Sequence, residues 1–128
     1  MPNQRPALLL VLALSVAALG LGGCATLEQK AEHAIAWVRD ALQTQLDVPL
    51  ERATRASVEA MRDMKFTEVT VKSDVLTGIV TAKTAKDEKV TVELTSISEG
   101  QTVVDIRVGL ITDKAVALKI LERIKKNL

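Results

Sequence analysis

The chain has 128 residues, of which 48% are hydrophobic and 26% charged, and this length predicts one small domain. Residues 1–23 carry one charged side chain, Arg5, so the rest of the chain, with 16 basic and 16 acidic residues, is formally neutral. Proteins that bind phosphate backbones carry an excess of positive charge, so we expect no nucleic-acid partner.

The first 23 residues have the organisation of a secretory signal peptide. A polar start that contains Arg5 precedes an apolar run from Ala7 to Leu19, and small residues follow. The run is shorter than the roughly 20 residues that a helix needs to cross a bilayer. We therefore expect residues 1–23 to be cleaved after export rather than to remain as a transmembrane helix.

Residues 21–24 read Leu-Gly-Gly-Cys and resemble the lipobox of bacterial lipoproteins. The resemblance implies that the signal is cut between Gly23 and Cys24 and that Cys24 carries a covalent diacylglycerol and a further acyl chain. Each buried CH₂ group contributes about 0.8 kcal/mol, so two or three acyl chains would hold the protein at a membrane. Because Cys24 is the single cysteine, the chain cannot form an internal disulfide.

The lipobox also implies a location and partners. By resemblance to the lipoproteins of bacteria with two membranes, Ala25 rather than Asp after the cysteine favours the outer membrane. We expect a protein of the cell envelope that faces the periplasm, anchored in the inner leaflet of the outer membrane if the host has one. Its expected partners are the membrane, through the lipid anchor, and an envelope protein.

Residues 24–36 are predicted to form a lipidated tether that contains a helix, followed by a domain over 37–128. Apolar residues recur at helical spacing after Thr26, which is suited to be an N-cap, and this helix is expected to extend to about Arg39.

Alternation of apolar and polar residues then predicts a strand over 41–48. Pro49 and a run of helix-forming residues predict a helix over 50–64. The side chains expected to face the core are Leu50, Ala53, Ser57, Val58, Met61 and Met64.

Four further strands are predicted up to Val108, separated by turn-like clusters at 74–78, 85–89 and 99–102, and the first of these strands covers 67–73. Their apolar side chains must oppose one another, which fixes a predicted register. The predicted pairs are Val92 with Val108, Leu94 with Ile106, Glu93 with Arg107, Thr95 with Asp105, Val80 with Leu94 and Ala82 with Val92.

This register leaves three-residue loops over 86–88 and 99–101, the second with Gly100 available for a positive φ. It also makes one face of the sheet apolar and the other polar, which indicates a sheet covered on one side. The apolar face contains Val69, Val71, Val80, Ala82, Val90, Val92, Leu94, Val104, Ile106 and Val108. The polar face contains Thr70, Lys72, Thr81, Lys83, Thr91, Glu93, Thr95, Asp105 and Arg107.

A last helix is predicted after Thr112 or Asp113, with Lys125 and Lys126 near its negative end. Its expected core stripe is Ala117, Leu118, Leu121, Ile124 and Leu128. The predicted fold class is therefore α+β, a two-layer sandwich with a mostly antiparallel sheet of about five strands and two helices on one face, in the order strand, helix, four strands, helix.

Several short motifs stand in a distinctive order along this framework. They are Trp37-Val38, Pro49-Leu50-Glu51-Arg52, Gly78-Ile79-Val80-Thr81-Ala82, Val104-Asp105-Ile106-Arg107-Val108-Gly109, and Asp113 before a helix with Ile120-Leu121. Over residues 37–128 and the lipobox, the chain resembles a family of small bacterial lipoproteins that is labelled only as a domain of unknown function. The resemblance implies neither an activity nor a catalytic residue.

Residues with catalytic chemistry are scarce. His33 is the single imidazole and lies in the predicted tether, so we expect no catalytic residue, no metal ligand and no cofactor apart from the covalent lipid on Cys24. Glu93, Asp105 and Arg107 fall close together in the predicted register, which raises the hypothesis of a carboxylate pair for acid–base catalysis. A solvated cross-strand ion pair between Glu93 and Arg107 is the preferred interpretation.

Ile79, Ile97 and Val103 fall on the polar face in the predicted register and form a candidate partner surface. The preferred function is a non-enzymatic interaction or envelope-assembly module. An alternative is a carrier of an apolar or lipid ligand, and a hydrolase of envelope polymers ranks third. Small side chains that could leave room for a carried ligand are Ala53, Ala56, Ala82, Ala115 and Ala117.

Overall fold

The computed structural model describes residues 33–128. The predicted signal peptide, its cleavage site between Gly23 and Cys24, and most of the tether lie outside the described residues. The elements are β1 (Ala36–Val38), β2 (Ala41–Leu46), α1 (Leu50–Asp63), β3 (Thr67–Ser73), β4 (Thr77–Lys83), β5 (Lys89–Ser98), β6 (Gln101–Val108) and α2 (Lys114–Lys126).

The six strands form one antiparallel sheet in the order β1-β2-β6-β5-β4-β3. Both helices pack on the same face: α1 contacts β3 to β6, and α2 contacts β2 and β6. The predicted α+β class and the order of strand, helix, four strands and helix are confirmed, but the sheet has six strands instead of five. None of the helices in the described part is long and apolar enough to cross a bilayer.

The sixth strand occurs where the sequence predicted a helix. Residues 36–38 pair with β2, so the predicted helical extension to Arg39 is wrong. Arg39 and Asp40 have φ values of 50° and 62° and form the two-residue turn of a tight hairpin. Asp40 Oδ2 also accepts a hydrogen bond of 2.8 Å from the amide of Thr112, which ties this turn to the loop before α2.

The core lies between the sheet and the helices and uses every second residue of the central strands. Its fully buried sheet residues include Leu42, Val80, Val90, Val92, Val104, Ile106 and Val108. The predicted apolar face is therefore confirmed for β4, β5 and β6. Val71 is the exception: it lies opposite Val80 on the edge strand and is 49% exposed.

The edge strand β3 contains an irregularity. Its pairing with β4 shifts between Thr67 and Thr70, and Glu68 there has a positive φ of 53°. The Glu68 carboxylate lies 3.2 Å from Lys83 Nζ and, together with Asp87, raises the pKa of Lys83. The shift is a β-bulge, which bends the edge of the sheet.

The strand pairings differ from the predicted register by two residues. Val92 lies opposite Ile106 rather than Val108, and Val80 lies opposite Val92 rather than Leu94. Side chains alternate with a period of two, so a slip of two residues keeps each side chain on its predicted face. The prediction therefore identified the faces correctly and the partners wrongly.

The loops change with the register. Five residues, 84–88, join β4 to β5, and two residues, 99–100, join β5 to β6. A bulge within Ser96–Ser98 takes up the remaining length of the second hairpin. Within the described residues the glycine with a positive φ is Gly109 rather than Gly100, so the predicted role of Gly100 is wrong.

The same slip changes the pairs on the outer face. Glu93 lies opposite Asp105 rather than Arg107, and Thr95 lies opposite Val103 rather than Asp105. Two like charges therefore face each other where the sequence predicted an ion pair. Like charges directly opposite on neighbouring strands destabilise a sheet.

Both long helices lie close to their predicted positions. Helix α1 ends one residue before the predicted 50–64, and the N-cap of α2 is Asp113, whose Oδ1 accepts a hydrogen bond from the Val116 amide at 3.2 Å. Leu118, predicted in the core, is 40% exposed, whereas Ile120, absent from the predicted stripe, is fully buried.

Helix α1 and strand β4 approach each other closely at Gly78. A Cβ at this buried position would lie 2.7 Å from Thr54 Oγ1. That hydroxyl is held in place because it donates a 2.8 Å hydrogen bond to the Leu50 carbonyl. Gly78 thus allows the helix to pack against the sheet at this point.

We expect Gly78→Ala to lower the free energy of unfolding by about 1–3 kcal/mol, because the added methyl group overpacks the contact with Thr54. Urea unfolding measures this loss. The loss should be smaller in a Thr54→Ala background, where the obstructing oxygen is absent. Gly100→Ala is the control, since no atom lies within 4 Å of its Cβ position. Equal effects of the two glycine substitutions would contradict the prediction.

We expect Glu93→Gln to raise the free energy of unfolding by roughly 0.2–1 kcal/mol, because it removes the charge that faces Asp105. The urea midpoint should increase without a change in m-value. Glu122→Gln on α2 is a matched control at an exposed helical position. A lower midpoint for Glu93→Gln would show that the two carboxylates do not repel each other.

Candidate interaction surface

The face of the sheet that points away from the helices is uncovered in the described part of the chain. We call it the open face. Its residues on β2, β4, β5 and β6 are Gln43, Gln45, Ile79, Thr81, Thr91, Glu93, Thr95, Val103, Asp105 and Arg107. Threonine hydroxyls and amide groups supply much of this surface, and Thr81 is hydrogen-bonded to Thr70 of the edge strand.

The carboxylates of Glu93 and Asp105 lie near the centre of the open face. Asp105 Oδ1 accepts a hydrogen bond from Gln43 Nε2 at 3.1 Å. Among residues 33–128, neither carboxylate forms an ion pair, and Arg107 lies opposite Thr91 instead. The open face therefore presents two adjacent negative charges that a basic group from another molecule could neutralise.

The three residues of the predicted partner surface lie on three different strands of the sheet. Ile79 on β4 lies opposite Glu93 of β5, and Val103 on β6 lies opposite Thr95 of β5. Strand β5 therefore separates Ile79 from Val103. Ile97 lies near the end of β5, in its bulge, and is 51% exposed. The structure thus places Ile79 and Val103 on the open face with polar side chains between them, and Ile97 at the end of the sheet.

The chain enters the described domain at the end of the sheet that contains His33, Asp47 and the β5–β6 turn, which we call the entry end. His33 Nε2 lies 2.8 Å from Asp47 Oδ1, and this hydrogen bond holds the pKa of Asp47 below its usual value. Thr44 Oγ1 donates to the Ala34 carbonyl at 3.2 Å. These two contacts fasten the incoming chain to the end of β2.

The turn between β3 and β4 also lies at the entry end. Asp74 Oδ1 accepts hydrogen bonds from the amides of Leu76 at 2.8 Å and Thr77 at 2.9 Å, and these bonds lower the pKa of Asp74. The side chains of Val75 and Leu76 are 88% and 64% exposed. The Ser96 amide donates to the Leu76 carbonyl at 2.8 Å, which joins this turn to the end of β5.

The opposite end of the sheet carries a second exposed apolar pair. Leu110 is fully exposed and Ile111 is 82% exposed in the loop between β6 and α2. A groove of about 610 Å³ lies beside them, and Lys89 and Arg107 are among its lining residues. Neither apolar pair was predicted from the sequence. Each lies in a connecting segment, where no periodic pattern indicates which side chains form a surface.

Two side chains with potential catalytic chemistry, a serine hydroxyl and the imidazole, are engaged in other contacts. Ser57 is buried and donates its hydroxyl to the Ala53 carbonyl at 2.8 Å, while His33 contacts Asp47. In the part that the structure describes, no group of three or more His, Cys, Asp or Glu side chains is placed to hold a metal ion.

The small residues proposed to leave room for a carried ligand lie in two environments. Ala53, Ala56, Ala82 and Ala117 are buried in the core between sheet and helices. Ala115 is exposed near the start of α2, so its predicted place among the core residues is wrong.

Comparison with known proteins gives a family without an assigned activity. No curated protein matches the chain. The family described as "Protein of unknown function (DUF3568)" matches residues 7–127, a range that includes the N-terminal apolar segment and nearly all of the described domain. The predicted resemblance to a family labelled as a domain of unknown function is thereby confirmed. The chain belongs to the DUF3568 family of proteins of unknown function.

Proposed function

We propose that this protein is a lipid-anchored lipoprotein of the cell envelope that faces the periplasm and acts as a non-enzymatic interaction or assembly module. The anchor is a diacylglycerol and a further acyl chain on Cys24, after cleavage behind Gly23. The apolar run Ala7–Leu19 and the lipobox-like residues before Cys24 support this part of the proposal. An outer-membrane location is favoured by Ala25 in a host with two membranes.

The observation that supports an interaction role is the pair of opposed carboxylates on the open face. Glu93 and Asp105 lie opposite each other, which destabilises the sheet, and neither forms an ion pair with a residue of the described domain, although Arg107 lies on the same face two residues from Asp105. A basic group of an envelope protein would offset their charge on binding. Ile79 and Val103 supply apolar contact area beside these charges. We therefore propose that the open face receives the partner.

The anchor is tested by Cys24→Ser, which removes the thiol that accepts lipid. We expect the variant to accumulate as precursor with residues 1–23 uncleaved, whereas the unaltered protein begins at Cys24 and carries acyl chains. Intact mass spectrometry and partition into detergent measure both properties. Thr26→Ser is a control that leaves the thiol in place. A Cys24→Ser protein that is cleaved and retained on membranes would refute the anchor.

The interaction role is tested by reversing one charge on the sheet, at Glu93, and one charge on helix α2, at Glu122. Glu93→Lys removes the repulsion from Asp105 and should eliminate a basic partner that is crosslinked to the lipidated protein in intact envelopes. Glu122→Lys makes the same charge change on the exposed side of α2 and should leave the crosslink intact. If both variants keep the partner, the open face is not the contact. Phospholipid that co-purifies in stoichiometric amount would favour the carrier alternative.

A further inference from the structure

We infer that Val75, Leu76 and Ile97, which we call the entry-end cluster, rest in the surface of a zwitterionic bilayer and orient the domain on it. The inference rests on the proposed lipid anchor at Cys24. It adds a second, noncovalent contact with the same membrane and states which end of the sheet makes it.

The cluster consists of exposed apolar residues at one end of the sheet. Val75 and Leu76 are adjacent in the β3–β4 turn, and the hydrogen bond from the Ser96 amide to the Leu76 carbonyl brings the residue before Ile97 against this turn. All three are large aliphatic residues with half or more of their surface exposed. Exposed apolar residues grouped in this way mark contacts with proteins or membranes.

Hydrogen bonds order the backbone of the turn that carries Val75 and Leu76. The Asp74 carboxylate accepts bonds from the Leu76 and Thr77 amides, and its two oxygens each lie 3.2 Å from the Thr77 hydroxyl. The Asp74 amide donates to the Thr77 carbonyl at 2.9 Å. A turn that is already ordered loses little conformational entropy when its side chains enter an interface.

The chain from the lipid anchor enters the domain at the same end as this cluster, which favours the membrane as its partner. His33 is held against Asp47, and Leu46 lies opposite Thr102 at the start of β6, so the chain arrives at the same end of the sheet as the cluster. Cys24 lies nine positions before His33, and nine residues span at most about 30 Å. The acyl chains therefore keep the entry end close to the lipid surface.

The second apolar pair, Leu110 and Ile111, is less favourably placed for this contact. It lies beyond the far end of β6, whose eight residues extend about 27 Å at 3.4 Å per residue. The tether, at most about 30 Å long, joins the domain at the entry end. It would need nearly all of that length for Leu110 to contact the membrane. The two pairs have similar chemistry and opposite positions, so they can be compared directly.

The charge of the entry end selects the type of lipid. Asp47 and Glu99 lie at this end and Asp74 lies within the turn itself, so carboxylates outnumber Lys72, the cation of β3 nearest the turn. Anionic headgroups would be repelled by these carboxylates, whereas zwitterionic headgroups would not. We therefore assign a zwitterionic surface to the entry-end cluster.

The test uses single cysteines in the lipidated, full-length protein. Leu76→Cys and Ile111→Cys each add one thiol, and Cys24 does not react because its sulfur carries lipid. Each variant is labelled with a polarity-sensitive fluorophore and reconstituted into dioleoylphosphatidylcholine vesicles that contain brominated lipid. We expect a blue shift and strong quenching for the label at position 76, and emission typical of water for the label at position 111.

Other results would overturn the inference. A label at position 76 that stays in water, or a label at position 111 that is quenched more strongly, would show a different orientation. A blue shift at position 76 that grows with protein concentration in detergent would show that a second copy covers the cluster. Stronger quenching after addition of phosphatidylglycerol would contradict the preference for zwitterionic lipid.

The same samples separate this inference from the proposed function. Intact mass shows whether Cys24 carries lipid, and flotation shows whether the protein is bound to vesicles. A protein that is lipidated and floats with position 76 in water refutes the orientation alone. A protein whose Cys24 reacts with the fluorophore refutes the anchor and, with it, the inference.

Discussion

The alternation of side chains along β4, β5 and β6 is the constraint on which both layers of the domain depend. On these strands every second residue, from Val80 to Val108, is buried beneath the helices. A fully buried aliphatic side chain contributes roughly 1.5–3 kcal/mol, so this row supplies much of the attraction between the layers. Gly78 stands in the same row without a side chain, and Thr54 of the helix occupies the space. The residues between the buried ones on these strands point away from the helices and belong to the open face.

This alternation makes the buried faces predictable from the sequence, but not the strand register. Which side chains are buried follows from a period of two, but register does not, because a slip of two residues buries the same side chains. The observed register depends on turn geometry. Arg39 and Asp40 both adopt positive φ values without being glycine, so their hairpin has no glycine in its turn. Because no glycine marked this turn, the spacing of the apolar residues around it indicated a helix.

The candidate site could likewise be predicted only where it depends on alternation. The polar face and the place of Ile79 and Val103 on it follow from alternation alone. The proximity of Glu93, Asp105 and Arg107 was also predicted, but the direct pairing of Glu93 with Asp105 follows only from the observed register. The entry-end cluster depends on contacts between residues far apart in the chain, such as the 2.8 Å contact of His33 with Asp47. A local pattern contains no information about such contacts.

The bulge at Glu68 has a consequence for how copies of the domain meet. An edge strand exposes amide and carbonyl groups that can pair with the edge of a second molecule. On β3 the bulge bends this edge, and the Glu68–Lys83 ion pair places charges along it, while β1 at the other edge has three residues. The proposed lipid anchor would confine copies of the domain to two dimensions, where they would collide often. Interrupted edges oppose strand-to-strand aggregation in such a crowded layer.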